Sequence, residues 1–199
     1  MGEAHEELEK AEHTEHAAGV NKQIALLIAI MALFLALSEM LGKSANTEAI
    51  TLNIKVSDTW NFFQAKNIRR TVVLSAAEEM KVETIRVSDN SAKDAMNKQI
   101  DEWQKTAARY QSEPKPEGGE GTKELAERAT EAEHERDTAL ARYHNYEVAS
   151  AAFQIGIVLC SAAVITGTFL LAWAAGGVAI LGIAFTALGL FAPHALHLG

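Results

Sequence analysis

The last 52 residues of the chain, 148–199, contain no Asp, Glu, Lys or Arg. One bilayer crossing takes about 20 predominantly apolar residues. A charge-free run this long predicts two crossings folded back on each other, and the rest of the chain must be arranged around that membrane hairpin. The expected turn is Trp173-Ala174-Ala175-Gly176-Gly177: paired glycines allow a tight reversal, and Trp173 suits the membrane–water interface. The spans are then 148–171 and 178–198. Gly156, Cys160, Ala163 and Gly167 share one face of the first, and Gly182, Thr186 and Gly189 share one face of the second. Helices in lipid associate by close approach, so these small residues are expected to form the contact between the spans.

An earlier apolar run predicts a first crossing at 24–42. Glu39 lies near its end. An acid inside a span is a candidate functional group by default, but Glu39 is close enough to Gly42-Lys43 to reach the interface. The other spans carry no ionisable group except His194 and His197 near the C-terminus. A proton or ion pathway needs several polar groups at membrane depth, so little here supports one.

The segment 1–23 is acidic, with six glutamates against Lys10 and Lys22, and lacks the positive opening of a secretory signal. On a helix, His5, Glu9, Glu12 and His16 fall on one stripe. Together with His13 they are weak candidates for holding a divalent transition metal. A solvated acidic tail explains the same composition.

Between the first and second spans, 43–147 holds 16 of the 18 basic and 19 of the 26 acidic residues. This mixed surface is soluble and is no electrostatic footprint for nucleic acid. Asn46-Thr47-Glu48 offers a helix start, and the helical pattern then runs to a cluster of turn residues at Ser88-Asp89-Asn90. A second helix over 91–110 carries the seam Met96, Ile100, Trp103, Ala107 and Tyr110. Prolines and glycines break the chain at 113–121. A third helix starts near Thr122, with the seam Leu125, Ala129, Ala132, Arg136, Ala139, Tyr143 and Tyr146, and shows no stop signal before the second span. Two seams joined by a Pro/Gly loop predict an antiparallel, coiled-coil-like hairpin. The expected fold is an all-α membrane protein with three transmembrane helices and a membrane-standing helical hairpin between the first and second.

The most distinctive stretch is 56–70, VSDTWNFFQAKNIRR, which puts Asp58, Trp60, Phe62, Phe63, Gln64, Lys66, Arg69 and Arg70 within a few helical turns. Either the aromatics form a stacking platform and the cations bind an anionic head group or nucleotide, or the aromatics are buried in a helix seam and the cations face water or lipid phosphate. Phe62 and Phe63 cannot share one face with Trp60, so the helix is expected to be covered on more than one side, in a bundle or an oligomer. The stretch resembles the D-x-W-x-x-[FY]-Q-A-K-x-x-[KR] core of a bacterial family of small membrane proteins, domain of unknown function 4337. Asp58, Trp60, Phe63, Gln64, Ala65 and Lys66 match it. The resemblance implies a multi-pass bacterial membrane protein and no activity.

No GxxxxGK[ST], HExxH or GxSxG pattern is present, and the carboxylate pairs lie on charged helices, so neither an enzyme nor a cofactor is expected. Cys160 is the one cysteine, which excludes an internal disulfide and a CxxC metal site. The leading expectation is a scaffold or accessory subunit in the inner (plasma) membrane, contacting lipid, that self-associates or binds a larger membrane complex. One alternative is an oligomeric channel or transport-associated protein. Another is a metal-binding module in the N-terminal tail. By the positive-inside rule, 43–147 is expected in the cytoplasm.

Overall fold

The computed structural model describes the backbone of residues 2–114 and 118–195, and side chains from residue 21 onward within those ranges. It is helical, with no strand among the described residues. The elements are α1 (Gly2–Arg86), α2 (Asn90–Gln111), α3 (Thr122–Thr166) and α4 (Phe169–Phe191). Pro114 and Pro193 stand outside the helices, so among the described residues no helix interior loses a backbone hydrogen bond to a proline. Three helices are long and apolar enough to cross a membrane: α1, α3 and α4. The chain divides into two compact units. Unit 1 comprises α1 up to Glu48 and the chain from Asp137 onward, and unit 2 is Ala49–Arg136.

Unit 1 holds the apolar spans. Its α1 stripe includes Ile24, Met31, Ser38 and Ala45, spaced seven apart, with buried Gly42 beside them. The α3 stripe, Tyr146, Ala149, Phe153, Gly156, Cys160 and Ala163, alternates steps of three and four, as does α4 with Ala175, Ala179, Gly182, Thr186 and Gly189. That spacing keeps one face of each helix turned to its neighbours. The Phe34 and Phe153 rings stack with centroids 5.8 Å apart.

The turn between the last two spans is not where the paired glycines pointed. It lies at Gly167-Thr168, and Trp173-Ala174-Ala175-Gly176-Gly177 is helical within α4. Gly167 has φ +66°, a left-handed conformation that side chains resist, so it ends α3. Gly176 and Gly177 lie inside α4, where the backbone hydrogen bonds are made within the helix itself. The helix expected to supply the second span therefore ends at Thr166 rather than 171. The helix expected to supply the third runs from Phe169 to Phe191 rather than over 178–198.

Unit 2 contains the second half of α1, all of α2 and the start of α3. The helix start expected at Asn46 is absent, because α1 runs through it unbroken to Arg86. The next boundary matches expectation: Asp89 caps α2, its Oδ1 accepting from the Ser91 amide at 3.0 Å. The pairing of the helices differs. The α2 and α3 seams were expected to face each other. Instead, Met96 and Trp103 of α2 stand beside Ser75, Glu79 and Met80 of α1, and Glu133 and Glu135 of α3 reach Trp60 and Lys55 of α1. Where the end of α2 meets the start of α3, Gln111–Glu113 hydrogen-bond to Thr122 and Glu124.

Candidate functional site

The distinctive stretch of α1 lies wholly in unit 2, and its residues divide between two jobs. Trp60 is half-buried. Its indole Nε1 donates to Glu133 Oε1 at 2.9 Å, and its ring meets Phe63 edge-on, centroids 5.3 Å apart at 79°. These aromatics are taken up inside the unit, which leaves them no open stacking platform.

Lys66 departs furthest from expectation. A lysine on a charged helix ordinarily keeps its ammonium in water, yet Lys66 is only 7% exposed. Its Nζ stands 3.5 Å from Glu113 and 3.5 Å from Glu120. It also lies 5.4 Å from the Phe62 ring centre and 5.9 Å from that of Tyr110. The cation thus sits between two rings and is neutralised by two carboxylates of the Pro/Gly loop, a pairing a buried charge requires. One turn further on, Arg70 Nη2 donates to Gln111 Oε1 at 2.9 Å. Lys66 and Arg70 together hold the end of α2 and the loop that follows it. Asp58, Gln64 and Arg69 point to solvent.

The loop is closed from its other side by the start of α3. Glu124 accepts from the Ser112 hydroxyl at 2.7 Å and from the Glu113 amide at 3.1 Å. The Ser112 bond, foremost, holds the Glu124 carboxyl below its ordinary value. Thr122 Oγ1 donates to the Gln111 carbonyl, and Arg128 Nη2 to the Gly119 carbonyl. Gly118 and Gly119 adopt φ of +131° and +66°, conformations in which a side chain is strained. The described ends of the Pro/Gly breaker, at Glu113 and at 118–120, are thus held against the helices, and this was not visible in the spacing of the charges.

The remaining candidate residues are in unit 1. Gly182 faces the ring of Phe153, and Gly189 faces that of Tyr146: a Cβ on either would come within 2.8 and 2.6 Å of ring carbons. Both accept a large neighbour, not a small one. Gly156 lies against Met31 and Cys160 is buried. Gly167 makes no packing contact and serves the turn. A polar pair that sequence reasoning missed links α1 to α4: the Ser38 and Thr186 hydroxyls are buried 3.0 Å apart. Glu39 is exposed and accepts from Gln154 Nε2 at 3.4 Å. His5, His13 and His16 lie outside the residues whose side chains are described.

With this geometry in place, one comparison decides the kinship. The family model for domain of unknown function 4337 matches residues 20–192. The chain belongs to this family. The match takes in the first span, the Trp60–Lys66 stretch, the Pro/Gly loop and both closing spans. None of the curated proteins and none of the solved structures matches the chain.

Proposed function

We propose that this member of domain of unknown function 4337 is a membrane-anchored helical scaffold or accessory subunit that self-associates through the exposed face of α1 in unit 2. One observation carries the reading. Ile50, Ile54, Ile68 and Val72 are all exposed, with Ile54 at 57% and Ile68 at 63%. Their spacing puts them on one stripe, opposite Val56, Phe63 and Ala77. Lys55, Asp58 and Arg69 are interleaved with them, which disfavours burial of this face in lipid. Exposed Asn61 stands seven residues from both Ile54 and Ile68, where a polar residue in an apolar seam can fix register. An aliphatic face of this kind outside the spans suits a helix of a second copy.

The sequence led to the expectation that the helix carrying Trp60, Phe62 and Phe63 is covered on more than one side, in a bundle or an oligomer. The contacts of Trp60 and Phe63 within the unit move that expectation to the aliphatic stripe. In the proposed arrangement α1, α3 and α4 cross the bacterial inner membrane and unit 2 lies in the cytoplasm, on the positive-inside rule. Mass photometry of the full-length protein in nanodiscs tests the association. Wild type is expected as an oligomer, and Ile54→Lys combined with Ile68→Lys is expected to lower the mass to that of the monomer. A monomeric wild type, or an unchanged mass in the double variant, refutes the reading. A phosphatase fusion after Gly119 tests the sidedness, and activity there reverses it.

A further inference from the structure

Unit 1 has a groove of about 440 Å3 between α1 and α3. Ser38, Glu39 and Lys43 line it from α1, and Tyr143, Glu147 and Gln154 from α3. It opens where the uncharged run of α1 ends: Glu39 and Lys43 are the first charged residues after Lys22. Glu39 and Lys43 stand one turn apart, with Glu N-terminal, the arrangement that ordinarily favours an ion pair. They do not pair. The Glu39 carboxylate accepts instead from Gln154, at 3.4 Å. Among the described residues Lys43 makes no ion pair. Glu147 has His144 beside it, at 3.6 Å. The groove therefore presents one cation and two carboxylates that leave one another unneutralised, at the edge of the apolar spans.

We propose that this groove binds a primary alkylammonium joined by a short linker to a phosphodiester, the chemistry of an ethanolamine phospholipid head group or of its free counterpart. Lys43 faces the phosphate oxygens. Glu39 and Glu147 accept from the three ammonium donors, and Gln154 steadies Glu39. A choline head group has no such donors and needs aromatic faces on several sides. Tyr146 is packed against Gly189 and Tyr143 meets the ring of His144 at 5.4 Å between centroids, so the groove supplies no aromatic cage. A purely anionic head group meets two carboxylates and is disfavoured. The proposal rests on the spans lying in a bilayer and is independent of self-association.

The test is native mass spectrometry of the full-length protein, released from detergent after incubation with ethanolamine, choline and glycerol phospholipids of identical acyl chains. The ethanolamine lipid is expected to be retained about tenfold more than the choline lipid, the scale of one charge-assisted hydrogen bond. Glu39→Gln and Lys43→Met should each lower its retention about tenfold, whereas Lys43→Arg, and Glu48→Gln outside the groove, should preserve it. Free phosphoethanolamine distinguishes the source. Competition at millimolar levels assigns a soluble ligand and failure to compete assigns the lipid, both within the proposed chemistry. Equal retention of the three lipids, or wild-type retention by both Glu39→Gln and Lys43→Met, overturns the proposal. So does release of the protein from membranes by alkaline carbonate. The same spectra report oligomer mass, so lost head-group selectivity is separable from lost self-association.

Discussion

Replacing Lys66 with methionine removes the charge of the most buried cation among the described residues of unit 2 while keeping its length and apolar stem. Two carboxylates face Lys66 at 3.5 Å, but they are not equivalent: the Glu113 side chain is 15% exposed and that of Glu120 is 52% exposed. Near a protein surface two unit charges 4 Å apart interact by about 4 kcal/mol. Exposure of Glu120 reduces its share to about 0–1 kcal/mol. Breaking a buried pair costs about 3–5 kcal/mol, because the remaining charge is left buried. Arg109 lies 3.8 Å from Glu113 and partly offsets that loss. Lys66→Met is therefore expected to cost about 2–4 kcal/mol. The revealing variant is the double one. Lys66→Met with Glu113→Gln removes both charges, so it should be more stable than Lys66→Met alone despite carrying one more substitution. The assay is thermal unfolding of the full-length protein in one detergent, with limited proteolysis between 113 and 121 as a local readout. A chain of this size shifts by about 2–4 °C per kcal/mol, so Lys66→Met should lower the midpoint by about 5–15 °C. A double variant less stable than Lys66→Met, or a Lys66→Met indistinguishable from wild type, refutes the buried-cation account.

Gly182→Leu drives a side chain into the Phe153 ring and should destabilise the spans by about 1–3 kcal/mol, read as a lower unfolding midpoint in detergent. Gly167→Leu has open space, so its cost should come from backbone strain alone, about 1–2 kcal/mol; Gly167→Asn should recover part of it. Gly121→Ala places a Cβ 2.6 Å from the Glu113 nitrogen and 2.7 Å from the Ser112 Cα, so backbone must move, and loop proteolysis should speed up. The Glu124 carboxyl is held below its ordinary value of 4.5, mainly by the Ser112 hydroxyl, so its bonds contribute fully above that value and are lost as pH falls through the lowered one. Cleavage between 113 and 121 by an acid-tolerant protease should rise on acidification through that window, and at a higher pH in Ser112→Ala.

The sequence alone was enough to determine the features set by a few neighbouring residues. The three apolar runs, the Asp89 cap, the Pro/Gly break and the unbroken passage of α3 from polar to apolar residues all follow from local composition, because local hydrogen bonding and hydrophobicity decide them. The kinship was legible too, in the motif from Asp58 to Lys66. Tertiary structure decided the rest. A seam of Leu125, Ala129 and Ala132 announces that one face of α3 is covered but not by what, and it is α1, not α2, that receives Glu133 and Glu135. The turn falls at Gly167 and not at Gly176-Gly177, and since all three glycines can adopt a positive φ, residue type alone could not choose between them. Lys66 reads as a surface cation until the loop is docked, since the carboxylates that neutralise it lie some fifty residues away in sequence. Spacing along a helix specifies which residues share a face. What that face meets depends on distant residues, and their positions exist only once the chain has folded.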